Sequence, residues 1–261
     1  MAISRIWTRE SRVHVRIRKV DAARPWQWLT RGWNDLRADW RVSLVHGLLL
    51  TLGGGILLAL GSTHPYLVAA ALTGFLLMGP LVTTGVAEVS RRMEAGEHVS
   101  FDASLDGFTR NRSALFDFAL ILGGIAVLWF VLSEILLRSM FDIEETTLGK
   151  VLYDGVLQAA SGEQVLAYVL LGGALAAIAF LVSAVSVPLV IDRPEATAAD
   201  AVRTSVRAVV ANLPAMIVWG AMLIVLTVLG FGTFLVGMIW IAPLLGHATW
   251  HAYRDLTASD T

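Results

Sequence analysis

The sequence contains no cysteine among its 261 residues. The chain therefore has no disulfide, no thiolate metal site and no covalently attached c-type haem. Charged residues are also scarce: they make up 16% of the chain, whereas soluble domains average about 25%. Apolar residues reach 56%, and the mean hydropathy is +0.67. These values exclude an ordinary soluble domain and indicate residence in a membrane.

Motifs of the common enzyme classes are missing as well. The sequence has no phosphate-binding loop, no nucleophile elbow and no His-Glu-x-x-His zinc motif. We therefore expect a protein that is not an enzyme. The basic arm at residues 1–25 does not require nucleic acid as a partner, because anionic lipid attracts each basic residue near a membrane surface by about 1 kcal/mol.

Six apolar stretches are long enough to cross a bilayer core, which takes about 20 helical residues. Only Gly230, Phe231 and Gly232 separate the last two stretches, which is typical of a tight hairpin. The sequence thus predicts an all-α polytopic fold, with six transmembrane helices arranged as three hairpins in one membrane domain over residues 26–261. The predicted spans are 42–61, 67–86, 115–137, 165–191, 213–230 and 232–250.

The positive charges of the predicted loops fall on one side of the membrane. Six spans divide the loops between two sides, and 18 of the 20 Lys and Arg residues lie on the side of the two termini. The opposite side holds only Arg138 and Lys150. Because cytoplasmic loops are enriched in Lys and Arg, both termini are expected in the cytoplasm.

An amphipathic helix is predicted directly before the first span. Leu29, Trp33, Leu36 and Trp40 recur there at helical spacing, between polar and charged residues. We expect this helix to lie at the membrane interface, since an indole ring suits the level of the lipid headgroups. The predicted interfacial tryptophans are Trp26, Trp28, Trp33 and Trp40.

The pattern of an amphipathic helix followed by a hairpin occurs three times. Similar helices are predicted before the fifth span, at Val202, Val206, Val209 and Leu213, and more weakly before the third, at Phe101, Leu105 and Phe108. The second span of each hairpin carries a Pro-Leu pair, in which proline bends the helix and neighbouring helices absorb the cost. The prolines are Pro80, Pro188 and Pro243. Duplication of one unit and the ordinary form of short loops both explain this pattern.

A helix-start signal precedes the fifth span. Thr197-Ala-Ala-Asp200 is a capping box, and Asp192-Arg-Pro194 interrupts the chain just before it. The sequence therefore predicts that a helix begins directly after Thr197.

Three histidines are the candidate ligands for a metal ion or haem iron. His247 and His251 are four residues apart on one helical face, and His46 lies one turn into the first span at a similar predicted depth, with Glu88 near the same level. Neutral imidazole binds Zn, Cu and Fe well. The alternative is structural: each ring donates to a backbone carbonyl or to a carboxylate such as Asp255 or Glu88. No ionisable residue lies near the middle of a span, which disfavours an ion-coupled transporter.

Several motifs resemble the bacterial integral membrane proteins of domain of unknown function 2189. The resemblance extends from about Trp28 onward and is most specific near the C-terminus. It implies a six-span inner-membrane protein and implies no activity. The motifs are Gly32-Trp33-x-Asp35, Ser43-Leu-x-His46-Gly47, Asp192-Arg-Pro194, the run from Ala201 to Ala208, Asn212-Leu-Pro214, Trp219-Gly220, and the run from Pro243 to Arg254.

These observations lead to three functional hypotheses for a multi-pass protein of the bacterial inner membrane. The first is a non-enzymatic accessory, assembly or scaffolding component, whose partners are the lipid bilayer and another inner-membrane protein or complex. The second is a permease or channel for a small neutral solute. The third is a metal- or haem-binding protein that uses His46, His247 and His251, with Glu88.

Overall fold

The structure, a computed structural model, describes residues 13, 15–61, 79–140 and 161–258. These residues are mostly helical, with two short strands at the ends of the described chain. In chain order the elements are β1 (Arg16–Ile17), α1 (Arg24–Ala38), α2 (Trp40–Gly61), α3 (Gly79–Val82), α4 (Thr84–Ala95), α5 (Phe101–Ser104), α6 (Asp106–Arg110), α7 (Arg112–Met140), α8 (Gly162–Ser183), α9 (Ser186–Asp192), α10 (Ala198–Ala211), α11 (Leu213–Gly232), α12 (Met238–Leu256) and β2 (Thr257–Ala258).

Among the residues that the structure describes, four helical segments are long and apolar enough to cross a membrane. They are Trp40–Leu57, Arg112–Leu136, Gly162–Asp192 and Leu213–Gly232, and they correspond to the first, third, fourth and fifth predicted spans. Most of the second predicted span, 67–86, lies outside the described residues.

The sixth predicted span, 232–250, differs from the helix that the structure has there. α12 begins at Met238 and ends at Leu256, and it is not among the four candidate spans, since its second half is more polar. The preceding helix α11 continues to Gly232, so the turn lies at 233–237 and not at Gly230–Gly232. In this turn Phe234 and Leu235 have positive φ angles of 52° and 68°.

The chain divides into two compact units. Unit 1 comprises residues 1–51, 80–119 and 180–261, and unit 2 comprises 52–79 and 120–179. In unit 2, Trp129 packs with Leu175 and Ala179 to form a buried apolar cluster. Ser133 Oγ and Tyr168 Oη, from the same two helices α7 and α8, lie 2.9 Å apart and add a polar contact to this cluster.

In unit 1, α1 packs along α12. Its buried stripe consists of Pro25, Trp28, Gly32 and Leu36. A Cβ atom on Gly32 would lie 2.7 Å from the backbone nitrogen of Ala248, so only glycine permits this close approach. Because Trp28 belongs to this buried stripe, it differs from the other three predicted interfacial tryptophans.

The prediction of an interfacial Trp28 is wrong. Its ring is fully buried, in edge contact with Trp219 at a centroid distance of 5.8 Å, and its Nε1 donates to Asp255 at 2.9 Å. The other three predicted interfacial tryptophans are exposed, with exposed fractions of 61% for Trp26, 43% for Trp33 and 53% for Trp40. α1 therefore has two apolar stripes, of which one packs on protein.

The helix predicted before the fifth span begins as expected, and part of its apolar stripe packs on protein. Thr197 and Asp200 form the complete capping box, which confirms the predicted start of α10. Val202 and Val209 are buried against the protein, and the hydroxyl of Ser205 donates to the Leu181 carbonyl at 2.7 Å. Two residues of the predicted apolar stripe therefore pack inside unit 1, whereas Leu213 at the end of the stripe is exposed. The amphipathic helix predicted before the third span is divided into two short helices, α5 and α6.

The three prolines occupy different contexts. Pro80 lies in the single turn of α3, Pro188 follows a break in the helix at 184–185, and Pro243 lies inside the continuous helix α12. Proline at 243 has no N–H to donate to the carbonyl of Ile239, one turn earlier. Gly47 of α2 lies against this carbonyl so closely that a Cβ atom would overlap it.

Part of the predicted N-terminal arm is attached to the rest of unit 1. β1 pairs antiparallel with β2, with Ile17 opposite Thr257. The side chain of Asn212 accepts a hydrogen bond from Val20 N at 2.8 Å and donates to Arg18 O at 3.0 Å. The described end of the arm and the C-terminal end of the chain are therefore held together.

Candidate functional site: a buried histidine and carboxylate network

The polar interior of unit 1 centres on five residues, which we call the histidine network: Asp35, Ser43, Ser90, His247 and His251. His247, on α12, has no exposed surface. Its Nε2 lies 2.9 Å from Ser43 Oγ on α2, and its Nδ1 lies 2.7 Å from Ser90 Oγ on α4. Both ring nitrogens are therefore occupied by hydroxyl groups.

The hydroxyl protons of Ser43 and Ser90 limit His247 to two protonation states. Ser90 donates its single hydroxyl proton to Asp35 Oδ2 at 2.7 Å, so it accepts from His247 Nδ1–H. The neutral ring then accepts from Ser43 at Nε2. If Ser43 donates instead to the Asp39 carbonyl, which lies 2.9 Å away, His247 must donate from both nitrogens and carry a positive charge. The two arrangements differ by one proton.

Asp35 joins three helices through one oxygen atom. Its Oδ2 accepts from Ser90 on α4 and lies 2.9 Å from His251 Nε2 on α12. Burial raises the pKa of Asp35, but the hydrogen bonds from His251 and Ser90 outweigh this effect and hold the pKa below its ordinary value. The side chain is therefore a carboxylate at neutral pH.

His46 lies in a separate contact. Its Nε2 is 2.8 Å from Ser104 Oγ, and Ser104 donates its own proton to the Phe101 carbonyl at 2.6 Å, so the ring donates from Nε2. A Cβ atom on Gly85 would overlap the imidazole, which shows how closely α4 approaches the ring. His46 thus binds a different hydroxyl from those that hold His247.

Glu88 faces arginines and not imidazoles. It has no exposed surface, and Arg91 binds both of its oxygens, with Nε to Oε2 at 2.9 Å and Nη2 to Oε1 at 2.8 Å. Arg92 Nε adds a bond of 2.9 Å to Oε1. The hydrogen bonds to Glu88 and Glu97 raise the pKa of Arg91 above its ordinary value. A fully buried carboxylate is stable here because two guanidinium groups compensate its charge.

The geometry favours the structural alternative over the metal hypothesis. Within the described ranges, no group of three His, Asp or Glu side chains is arranged so that it could hold a metal ion. His46, His247 and His251 each bind a protein hydroxyl or carboxylate instead. These partners are not the Asp255 and Glu88 that the sequence suggested.

Asp255 fixes the start of α1 to the end of α12. Its carboxylate accepts from Arg24 Nε at 2.6 Å, from Trp28 Nε1 at 2.9 Å and from both terminal nitrogens of Arg31 at 3.2 and 2.8 Å. Burial raises the pKa of Asp255, but the bonds from Arg24, Arg31 and Trp28 dominate and lower the pKa to about 2. Asp255 therefore stays ionised through the physiological pH range, and its contacts with α1 persist there.

The remainder of α12 is anchored in the same way. Tyr253 donates to Asp192 at 2.6 Å, and burial together with the nearby charge of Asp192 raises the pKa of Tyr253. Trp250 Nε1 donates to Glu94 at 2.9 Å, and the same carboxylate binds Arg254. The C-terminal run that looked distinctive in sequence therefore consists largely of residues that hold neighbouring segments.

Sequence reasoning identified the histidines but missed their partners. Asp35, Ser43 and Ser90 bind His247 and His251, and they come from separate helices. Ser104 binds His46 in the separate contact. Ser43 precedes His46 by three residues, yet it binds His247 and not His46. No spacing within the sequence connects these residues.

Part of the chain matches a family of known proteins. No curated protein matches the chain, and no solved structure matches it. Of the motifs that carried the resemblance, only Asp192 lies within the segment that a family model matches, so the resemblance outside that segment stays a prediction. Over residues 67–192, the chain matches the family described as predicted integral membrane protein (DUF2189), which confirms the family inferred from the sequence.

Proposed function

We propose that the chain is a six-span protein of the bacterial inner membrane with both termini in the cytoplasm. Four described helical segments qualify as spans, and α12 together with residues 67–86 would supply the remaining two. The distribution of Lys and Arg supports the orientation, since 18 of 20 lie on the side of the termini.

Within that membrane, the protein works by contact and not by catalysis, as an accessory, assembly or scaffolding component. The observation that carries this proposal is the use of the polar side chains in unit 1. His247 and His251, on α12, are bonded to side chains of α1, α2 and α4, and these bonds hold the helices together. Glu88 is bonded to arginines of its own helix, α4. Such a network stabilises one arrangement of helices and so favours a rigid surface.

The surface offered to a partner is the second apolar stripe of α1. Trp26 and Trp33 are seven residues apart and so lie on one face of α1, away from the stripe that packs on α12. Trp40, seven residues further, begins α2 and is also exposed. Tryptophan is enriched both at membrane interfaces and at contact hot spots. The proposed partners are therefore the bilayer and another inner-membrane protein.

Site-specific photo-cross-linking in intact membranes tests this proposal. A photoreactive phenylalanine analogue at Trp33 should give one discrete adduct of constant mass with a second protein. The matched control places the same analogue at Arg207, an exposed position on α10, and should give no such adduct. Equal labelling from the two positions, or lipid adducts alone from Trp33, would contradict a protein partner at this face and with it the accessory role.

The two other hypotheses receive no specific support from the described residues. A permease predicts flux of a small neutral solute into proteoliposomes. A metal or haem protein predicts stoichiometric metal or a haem absorbance spectrum in purified material. Both stay predictions.

A further inference from the structure

An open groove of about 640 Å³ lies in unit 1 beside the first two turns of α7. Its volume falls within the range of about 300–1,000 Å³ that ligand pockets occupy. Leu115, Phe116 and Ala119 give it an apolar wall along α7. The lining also includes three polar residues, Thr84, Arg112 and Ser113. The groove therefore combines an apolar channel with a small polar region.

Thr84 is a buried hydroxyl residue in the lining of the groove. The residue is buried, and its Oγ1 atom has no hydrogen-bond partner among the residues that the structure describes. Leaving a buried hydroxyl unpaired costs about 1–3 kcal/mol, and buried polar groups normally have partners. Thr83, the residue before it, already donates to the Pro80 carbonyl. An occupant of the groove with an acceptor oxygen would satisfy Thr84.

Arg112 supplies a positive charge to the same groove. It is the first residue of α7, it is exposed, and the structure gives it no ion pair or hydrogen bond among the residues it describes. The first turn of α7 contains no acidic residue, although a helix N-terminus is itself positive. The guanidinium and the helix end thus favour an anion at this position.

We propose that the groove binds one anionic phospholipid. The phosphate pairs with Arg112 and the first turn of α7, and Thr84 donates to an ester oxygen of the glycerol backbone. One acyl chain follows Leu115, Phe116 and Ala119, which lie three to seven residues, or roughly 4–10 Å, further along the helix. This depth order matches a lipid, because α7 begins a candidate span at Arg112. The proposal rests on the bilayer location of α7 but not on any protein partner.

Lipid titration of the full chain, delipidated in mild non-ionic detergent, tests the proposal. Native mass spectrometry counts the bound lipids and gives the dissociation constant for phosphatidylglycerol and for phosphatidylcholine with the same acyl chains. We expect one tight site that prefers phosphatidylglycerol. Arg112→Gln should weaken phosphatidylglycerol binding about tenfold, the effect of losing one charge-assisted contact, and should remove the preference.

Three further variants separate this site from general attraction to charge. Arg41→Gln is the matched control, since Arg41 is an exposed arginine near the start of another candidate span and does not line the groove. It should bind phosphatidylglycerol as the wild type does. Thr84→Val should weaken both lipids equally, because both carry the ester oxygens. Ala119→Trp should block both lipids by filling the groove.

The outcomes distinguish a lipid from its alternatives. The unfolding temperature of each variant without lipid confirms that it folds, and Arg112→Gln changes only a surface side chain. Unchanged lipid binding in Arg112→Gln, or an equal loss in Arg41→Gln, would overturn the proposal. Displacement of phosphatidylglycerol by excess inorganic phosphate would identify a free anion as the ligand and would also overturn it. None of these outcomes affects the cross-linking test at Trp33.

Discussion

His251 Nε2 and Asp35 Oδ2 lie 2.9 Å apart and join the last helix of the chain to the helix that precedes the first span. The same carboxylate oxygen accepts from Ser90, so that α1, α4 and α12 meet at one atom. Ser90 then connects to His247. The positions of three helices that are far apart in sequence therefore depend on one carboxylate.

Asp35→Asn should lower the stability of unit 1. The substitution keeps the shape of the side chain but removes the negative charge that His251 and Ser90 bind. Hydrogen bonds to charged groups contribute about 1.5–3 kcal/mol each, so a clear fall in the unfolding temperature in detergent is expected. Asp102→Asn is the matched control, since Asp102 is exposed at the start of α5. Equal unfolding temperatures for the two variants would contradict a structural role of the network.

The anchor at Asp255 should make stability depend on acid. Its pKa in the folded protein is about 2, below the ordinary value of 3.8, so ionised Asp255 stabilises the fold above pH 3.8. This contribution is lost as the pH falls from 3.8 to about 2. Asp255→Asn should therefore unfold at a lower temperature than the wild type at pH 6, and the difference should close towards pH 2. A difference that stays constant over this range would contradict the proposed ion pair.

The close contact between Gly47 and the Ile239 carbonyl gives a steric prediction. Gly47→Ala should destabilise the protein by about 1–3 kcal/mol, although alanine favours helices, because the new methyl group meets backbone that cannot rotate away. Gly55→Ala in the same helix α2 is the matched control, since a Cβ atom at Gly55 meets no atom of the described residues within 4 Å. Thermal unfolding in detergent distinguishes the two. A neutral Gly47→Ala would mean that α2 and α12 do not pack this closely.

The sequence predicted features that depend on local residue patterns. The apolar run 213–230 and the helix Leu213–Gly232 nearly coincide, because length and hydropathy determine a span. Thr197 and Asp200 form their capping box because its bonds connect residues three apart. Each of these predictions needs only neighbours in the chain.

Features that depend on helix packing were not predictable in this way. α1 has two apolar stripes, and periodicity does not show which one contacts protein. The sequence therefore places Trp28 at the membrane, whereas its ring packs on Trp219 of α11 and binds Asp255 of α12. Similarly, the spacing of Val202 and Val209 is amphipathic, but both bury against protein. The partners of His247 come from α2 and α4, and the sequence does not show that these helices lie beside α12.

Metal content tests the histidine hypothesis directly. Because Ser43 and Ser90 occupy both ring nitrogens of His247, we expect purified protein to contain no stoichiometric transition metal. His247→Ala should leave the metal content unchanged but lower the unfolding temperature, because it leaves two buried hydroxyls without their partner. Elemental analysis and thermal unfolding of both proteins provide the measurements. Stoichiometric zinc, copper or iron that disappears in His247→Ala would restore the metal hypothesis.

The predicted orientation places Arg18 and Lys150 on opposite sides of the membrane. The absence of cysteine makes this testable, since any introduced cysteine is the only thiol in the chain. In intact spheroplasts, Lys150→Cys should react with a membrane-impermeant maleimide, whereas Arg18→Cys should react only after the membrane is permeabilised. An odd number of crossings between the two positions puts them on opposite sides of the bilayer. The excess of positive charge on the side of Arg18 makes that side cytoplasmic. Reaction of both thiols under the same condition would exclude the three predicted spans between them and, with them, the six-span arrangement.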